Sequence, residues 1–370
     1  MLKFRSFLLA LIVLALAGLA CGETESILSE DSVQSTIPAP IDPQPKGNRV
    51  LELDANAPED ENFDQVMDLA RELGVESIRM SIYWDDFETA PGIYNPDPNW
   101  LAIANQYYSA QDLAISLTIS VLDTTEIRLP SDLQGRSFSD PEVIERFYGF
   151  LDYVNRQLTD VDLVYLAIGN EIDGVLAGNA QNWQDFRAFY QATGDYARQI
   201  WPDLPISTKV TFDGFFNQAS SYGKEIYQGS SPVMTTYYPL NGDFSVKDPS
   251  VVLDDFQTLV ELFPDKDILI TEIGYPTSPE NNSSEAKQAE FIHYMFQAWD
   301  DAGGQISLLS YSWMSDLPQS SVRELESYYG LRNKGFAEFL RTLGLRTYPG
   351  SGNNKMGFEV FRMEAESRGW

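Results

Sequence analysis

The 370-residue chain has little cysteine, little histidine and few basic residues. Cys21 is the only cysteine, which excludes an internal disulfide and a thiolate metal site. His293 is the only histidine, and a metal-dependent hydrolase would need several histidines or a dense group of carboxylates. Lys and Arg number 25 against 55 Asp and Glu, for a net charge of −30. That charge argues against nucleic acid or an anionic lipid surface as a partner and favours a neutral or cationic one.

The first 21 residues, MLKFRSFLLALIVLALAGLAC, have the composition of a secretory signal. Lys3 and Arg5 precede an apolar run that is shorter than the roughly 20 residues of a membrane span. The segment resembles a bacterial lipoprotein signal, in which the cysteine, here Cys21, becomes the lipidated N-terminus. The expected location is therefore extracytoplasmic, with a lipid anchor at the cell envelope, and ordinary secretion is the alternative.

Residues 22–47 are polar and proline-rich without an apolar period, which predicts a flexible linker. From there, runs of β-branched and apolar residues predict strands at 49–53, 77–84, 114–121, 163–169, 205–212, 232–238, 267–273 and 306–313. Helical spacing of apolar residues lies between these runs, at 63–73, 143–158, 182–201, 250–263, 284–302 and 333–344, and more weakly near 98–111 and 214–229.

Alternation of strand and helix over this length predicts a single α/β domain, a (β/α)8 barrel spanning residues 48–370. A doubly wound open sheet is the alternative, because alternation alone does not show that the sheet closes. In a barrel of this kind the active site lies at the C-terminal ends of the strands.

Two glutamates stand at such ends. Asn170 and Glu171 directly follow the fourth predicted strand, and Glu272 lies near the end of the seventh. Glutamates three strands apart can face one another across the barrel mouth. Glycoside hydrolysis requires such a pair, one carboxylic acid to protonate the leaving oxygen and one carboxylate to attack or to activate water.

A cation and several aromatic side chains are predicted at the same rim. Arg79 alternates with aliphatic residues in the second strand, so its side chain is predicted to enter the lumen, where it either sets the charge of a carboxylate or fills the barrel as a salt bridge. Aromatic faces stack on sugar rings, and core packing is the alternative for each candidate. The aromatic candidates are Trp84, Tyr237, Tyr238 and Trp313, with Tyr83 beside them.

Five strand ends, in order, resemble those of clan A glycoside hydrolases: SIRMSIYW, AIGNE, TTYYPL, LITEIGYP and YSW. The resemblance implies a retaining β-glycosidase that acts on a plant, algal or microbial polysaccharide through a glycosyl-enzyme intermediate, as a monomer without a cofactor. Within the clan, the segments look somewhat like endo-β-1,4-galactanases and β-1,3-glucanases.

The resemblance also implies roles for individual residues. Glu171 would be the acid/base and Glu272 the nucleophile, while Asn170 would hold the sugar 2-hydroxyl. Arg79 and Tyr238 would set the charge state of Glu272, and Trp313 would stack on the sugar; Trp84 and Tyr237 are further candidate substrate contacts.

Two other functions compete with this interpretation. A Schiff-base lyase could use Lys209, although a lone lysine in a strand is more often the partner of a barrel carboxylate. A non-catalytic carbohydrate-binding lipoprotein would keep the aromatic residues and lose one glutamate, whereas both are present here. Thr236 stands where the clan often has a histidine, which puts some of its substrate contacts in doubt.

Overall fold

Parallel strands form a closed sheet surrounded by helices in this computed structural model, which describes residue 40 and residues 42–60, 62–229 and 232–370. The predicted signal segment, Cys21 and most of the predicted linker lie outside the described residues. The barrel strands are β1 (Val50–Asp54), β2 (Ser77–Tyr83), β3 (Ala114–Asp123), β4 (Leu163–Asn170), β5 (Ile206–Ser207 and Lys209–Thr211), β6 (Val233–Tyr237), β7 (Ile268–Ile273) and β8 (Ile306–Ser312).

The sheet closes because β1 pairs in parallel with β8, in a register that runs from Val50 opposite Leu308 to Asp54 opposite Ser312. β5 is interrupted at Thr208. Its first segment pairs with β4 and its second with β6, so the interruption lies within one strand position of the barrel. This pairing confirms the (β/α)8 barrel and rules out the open sheet.

Helices connect and cover the strands. They are α1 (Phe63–Glu72), α2 (Trp84–Phe87), α3 (Trp100–Ser109), α4 (Pro141–Gln157), α5 (Ile172–Leu176), α6 (Ala180–Ile200), α7 (Ser220–Glu225), α8 (Val251–Leu262), α9 (Glu285–Asp301), α10 (Gln319–Tyr328), α11 (Lys334–Arg341) and α12 (Met356–Arg368). The weakly predicted helix near 214–229 is only the short α7, preceded by a 3-10 turn at Asp213–Phe215.

The first residues of α4 determine where this helix begins. The Asp140 side chain accepts a hydrogen bond from the backbone N–H of Glu142, and Pro141 occupies the first helical position, where no N–H is needed. Such a cap is worth about 1 kcal/mol. Phe147 and Phe150 lie on the face that the helix buries against the sheet, each contributing about 1.5–3 kcal/mol.

The lumen of the barrel is apolar at one level and polar at another. Tyr165, Ala167, Met234, Leu269 and Leu308 form a small buried cluster separate from the core between sheet and helices. Closer to the strand ends, charged side chains replace the apolar ones.

A long connection follows β8 and carries α10 and α11. Leu317, Val322, Phe336 and Phe339 of this connection pack with Trp313 in a second buried cluster. The connection therefore covers the β6 and β8 side of the barrel mouth.

Candidate active site

Glu171 lies where the chain leaves β4 and turns into α5. Gly169 has φ +90° and Glu171 has φ 45°, in the left-handed region. A Cβ at Gly169 would approach Ile172 Cγ2 to 2.7 Å, so glycine is required there. A non-glycine residue in this conformation costs roughly 1–3 kcal/mol, and such strain concentrates at functional sites.

The carboxyl group of Glu171 has two hydroxyl partners. Thr124 Oγ1 donates to Oε2 at 2.7 Å, and Thr236 Oγ1 donates to Oε1 at 2.7 Å. Burial and the negative charge of Glu272 raise the pKa of Glu171 to about 7, against the opposing effect of the two hydroxyl donors. Glu171 can therefore hold a proton near neutral pH.

Glu272, in β7, has the opposite surroundings. Its Oε1 lies 2.9 Å from Arg79 Nη1 and 3.5 Å from Lys209 Nζ, and its Oε2 accepts a hydrogen bond from the Tyr238 hydroxyl at 3.0 Å. Burial alone would raise the pKa of Glu272. The Arg79 and Lys209 charges, together with the Tyr238 hydrogen bond, outweigh burial and leave that pKa below its usual value.

Arg79 links three strand ends around Glu272. It donates to the Thr271 carbonyl at 3.1 Å and to Ser312 Oγ at 3.2 Å, and it forms an ion pair with Asp54 at the end of β1. The Asp54 carboxylate also accepts from the indole Nε1 of Trp313 at 2.7 Å, which fixes the ring next to the ion pairs. The peptide bond between Ser312 and Trp313 is cis.

Asn170 is held from the neighbouring strand. Its Nδ2 donates to Asp123 Oδ1 at 2.9 Å, and Asp123 Oδ2 accepts from the hydroxyls of Tyr83 and Tyr328 at 3.1 and 2.6 Å. Tyr328 ends α10, so the connection after β8 reaches across the barrel mouth to the end of β3.

The structure brings Asn170, Glu171, Glu272, Arg79, Tyr238 and Trp313 together, but it places Trp84 and Tyr237 elsewhere. Trp84 is fully buried beside Phe147 and donates to Glu88 Oε2 at 2.7 Å. Tyr237 is 2% exposed and donates to Asp255 on α8 at 2.7 Å. Both side chains point to the helix layer, because Trp84 has entered α2 and Tyr237 faces outward one residue before Tyr238. A substrate in the barrel mouth would therefore contact neither ring.

Several residues of the site were not predicted from the sequence. Asp54 and Ser312 are the last residues of β1 and β8, so their position at a strand end is a signal that the sequence contains. Thr124 and Tyr328 lie in a turn and at a helix end, and their sequence carries no comparable signal. Lys209 is the partner of a barrel carboxylate, the alternative to the Schiff-base role.

His293 is remote from these groups. It is buried in α9, and its Nδ1 lies 2.6 Å from Glu364 of α12. Among the described residues, no group of three or more His, Cys, Asp or Glu side chains is arranged to hold a metal ion. In the same part of the chain, no helix combines the length and apolar character that crossing a membrane requires.

Solved structures with the same fold were found by comparison, while no protein-family model and no curated protein matches the chain. An exo-β-1,4-mannosidase from Opitutaceae bacterium strain TAV5 is 17% identical with a TM-score of 0.66, covering 86% of this chain and 59% of that one. A GH5_18 variant from Streptomyces cattleya in complex with Manβ1-4GlcNAc is 15% identical (TM-score 0.65; 86% and 80% covered). The Ignisphaera aggregans GH53 catalytic domain is 19% identical (TM-score 0.60; 88% and 99% covered).

What these chains share is the barrel. The chain spans less than two thirds of the mannosidase's length. At these identities the likeness establishes the fold, and the chemistry has to be argued from the site.

Proposed function

We propose that this protein is a retaining β-glycosidase that hydrolyses O-glycosidic bonds of a polysaccharide, with Glu171 as acid/base and Glu272 as nucleophile. The observation that carries the proposal is the pair of partly buried glutamates at the ends of β4 and β7. Their surroundings push their pKa values apart, that of Glu171 up to about 7 and that of Glu272 down. A carboxylic acid beside a carboxylate is what the first step of glycoside hydrolysis uses.

In that step the Glu171 proton passes to the glycosidic oxygen as its bond to the anomeric carbon breaks. A carboxylate oxygen of Glu272 attacks the same carbon and forms a glycosyl ester. In the second step Glu171, now a carboxylate, takes a proton from water, and the water oxygen displaces Glu272. Arg79, Lys209 and Tyr238 hold the carboxylate that leaves.

The comparisons support a β-linked carbohydrate as the substrate class. One structural neighbour is named an exo-β-1,4-mannosidase, and another holds Manβ1-4GlcNAc. A plant, algal or microbial polysaccharide remains our proposal for the natural substrate, with the protein acting as a monomer without a cofactor.

A substrate panel with two site variants tests the proposal. Wild type, Glu171→Gln and Glu272→Gln are assayed on β-linked glucans, mannans and galactans and on nitrophenyl β-glycosides. Glu324→Gln is the matched control, because Glu324 is exposed on α10. We expect Glu171→Gln to lose about 10²–10⁴-fold on polysaccharide and much less on dinitrophenyl glycosides, whose leaving groups need no proton. Glu272→Gln should lose on the order of 10⁴-fold or more on both.

A Glu272→Gln protein that retains wild-type turnover would contradict the assignment of the nucleophile. A wild type that binds a polysaccharide without cleaving any would support the alternative of a carbohydrate-binding lipoprotein.

We also propose that the protein is exported and anchored through Cys21. The described chain preceding β1 contacts the barrel face opposite the glutamates, where the Gln44 backbone N–H donates to Asp300 at 3.1 Å and the Lys46 N–H to the Arg368 carbonyl at 2.8 Å. Mass spectrometry of the mature N-terminus, with Cys21→Ser as control, should show acylation of wild type alone.

A further inference from the structure

α10 joins the end of β8 to the end of β3. At its start, Val322 and Leu325 are buried in the same cluster as Trp313, which follows β8. At its other end, the Tyr328 hydroxyl donates to Asp123 Oδ2 at 2.6 Å. A helix of 10 residues is about 15 Å long, which matches the three steps of about 4.8 Å from β8 through β1 and β2 to β3. α10 therefore lies over the half of the barrel mouth that these four strands form.

The C-terminal end of α10 is attached to β2 and β3 through one cluster. The Arg128 guanidinium lies 3.9 Å from the centre of the Tyr83 ring and 6.0 Å from that of the Tyr328 ring. Both tyrosine hydroxyls donate to the same oxygen of Asp123. Arg128 in turn pairs with Asp85 at 2.9 Å. These contacts fix the end of the helix over the mouth.

Tyr329 follows α10 directly and borders the reaction centre. Its ring is partly buried and lies 5.7 Å from the Phe336 ring of α11. Burial raises the pKa of the Tyr329 hydroxyl. The negative charges of Asp123, Glu171 and Glu272 raise it further, so all three carboxylates are within electrostatic range of this hydroxyl.

The rim of the mouth beyond Glu171, after β5, is exposed. β5 leads into the 3-10 turn at Asp213–Phe215 and then to Phe216, which is 52% exposed. The Phe216 ring lies 5.1 Å from that of Phe212, whose backbone N–H donates to the Thr236 carbonyl at 2.9 Å. Because the Thr236 hydroxyl donates to Glu171, the exposed turn adjoins the proposed acid.

The proposed mechanism assigns a part of the substrate to each half of the mouth. Glu171 protonates the leaving oxygen, so the leaving group lies on the Glu171 side, next to the exposed turn after β5. The sugar that becomes attached to Glu272 is expected on the ring of Trp313, in the other half. Any further sugar linked to its non-reducing end would extend in the same direction, toward α10 and Tyr329.

We propose that α10 and Tyr329 close this end of the site, so that the protein takes the single sugar at the non-reducing end of a β-linked chain and releases it as a monosaccharide. The proposal rests on the proposed function and adds the mode of cleavage, which is terminal and not internal. A bulky group on the terminal sugar would meet Tyr329, whereas the length of the leaving chain is not restricted in the same way.

The test uses pentasaccharides whose reducing end is converted to the alditol. The sugar at the other end is either free or capped by a 4,6-O-benzylidene acetal. Cellopentaose, laminaripentaose, β-1,4-mannopentaose and β-1,4-galactopentaose supply the series. Mass spectrometry identifies the first products, and the ratio of kcat/KM for free and capped substrate cancels the fraction of active enzyme. Internal cleavage leaves the cap on a product, whereas terminal cleavage requires the free sugar.

For the pentasaccharide that wild type cleaves, the first products should be the monosaccharide and the tetrasaccharide alditol. The free substrate should react at least about 100-fold faster than the capped one. In Tyr329→Ala the space left by the ring should admit the cap and lower this ratio by about tenfold. Tyr148→Ala is the matched control, because Tyr148 packs on Tyr196 in the helix layer at 4.4 Å, and it should keep the wild-type ratio.

Internal products from wild type, or a capped substrate cleaved as fast as the free one, overturn the proposal and leave the glycosidase function intact. A Tyr329→Ala ratio equal to that of wild type also overturns it. If Tyr329→Ala fails to fold, the products and the ratio of wild type decide.

Failure of the proposed function gives a different result. If wild type cleaves none of the pentasaccharides and no nitrophenyl glycoside, the dissociation constants of the free and capped pentasaccharides are measured by calorimetry. Closure by α10 and Tyr329 predicts that a free pentasaccharide binds and its capped form does not. Equal dissociation constants, or no binding of either form, overturn the closure.

Discussion

Lys209 is a buried cation beside the proposed nucleophile. Its ammonium group is fully buried in the lumen, 3.5 Å from Glu272 Oε1, and it forms no hydrogen bond with the described residues. Burial lowers the pKa of Lys209, and the charge of Glu272 opposes that effect. The lysine contributes a charge at short range, which favours an ionised Glu272.

Replacing Lys209 with methionine should raise the pKa of Glu272, because one of its two cations is lost. The nucleophile must be ionised, so the acidic limb of the kcat/KM profile should move to higher pH. Activity at pH 5 should fall more than activity at pH 7, with the loss at pH 5 about tenfold or more. Lys334→Met, at an exposed site, is the control. An unmoved acidic limb in Lys209→Met would mean that Lys209 only fills the barrel.

Single residues were predictable where a strand end carries a distinctive side chain. Glu171, Glu272 and Arg79 stand out because charge is costly in a strand that is otherwise apolar. The direction in which the Trp84 and Tyr237 side chains point was not predictable, because a shift of one residue at a strand end moves a side chain from the lumen to the helix layer.

At the scale of elements, the acid/base is controlled by two strands other than its own. Thr124 follows β3 and Thr236 lies in β6, and both donate to Glu171. Donation to a carboxylate favours its charged form, so both hydroxyls hold the pKa of Glu171 below the value that burial alone would give.

The double variant Thr124→Val, Thr236→Val should therefore raise the pKa of Glu171. In wild type, kcat/KM should decline as pH rises through about 7, because the acid loses its proton there. In the variant this basic limb should lie at higher pH. The acidic limb, set by Glu272, serves as the internal control. A basic limb that stays in place or moves down would contradict the assignment of Glu171 as the acid.

Element positions followed from sequence where apolar periodicity is strong. Every barrel strand begins and ends within about two residues of its prediction. The interruption of β5 at Thr208 does not alter the apolar pattern of the sequence, so it was not predictable. α10 was not predicted because it buries only Val322 and Leu325. α12 was not predicted because the face that it buries includes the charged residues Glu364 and Arg368, which weakens the apolar period.

At the scale of the whole molecule, α12 ties the chain end to the barrel face opposite the site. Arg368 is 4% exposed and contacts Asp300 at 2.7 Å and Glu364 of its own helix. Arg49, next to β1, pairs with the same Asp300 at 2.8 Å, so one network joins the first strand, α9 and the last helix. Removing one member of a buried network leaves its partners without their counter-charge.

The substitution Arg368→Met should lower the free energy of unfolding by about 3 kcal/mol, the low end for a broken buried ion pair, since Asp300 keeps Arg49 and Glu364 keeps His293. Urea denaturation measures it. Arg362→Met removes an arginine from the same helix that is 35% exposed, and it should cost less than about 1 kcal/mol. Because the network is remote from the glutamates, kcat/KM of the folded Arg368→Met protein should equal that of wild type. A change in kcat/KM with an unaltered free energy of unfolding would contradict the assignment of this network to stability and not to activity.

The proposed mechanism requires Glu272 to form a covalent bond to the sugar. A dinitrophenyl 2-deoxy-2-fluoro β-glycoside of the sugar that wild type hydrolyses tests it most directly. The fluorine slows both steps by opposing the positive charge that develops at the anomeric carbon, while the leaving group restores the first. Mass spectrometry of the digested protein should show one added sugar on the peptide that contains Glu272, and no addition in Glu272→Gln. Hydrolysis of the parent glycoside by wild type, combined with labelling of any other residue, would contradict the account.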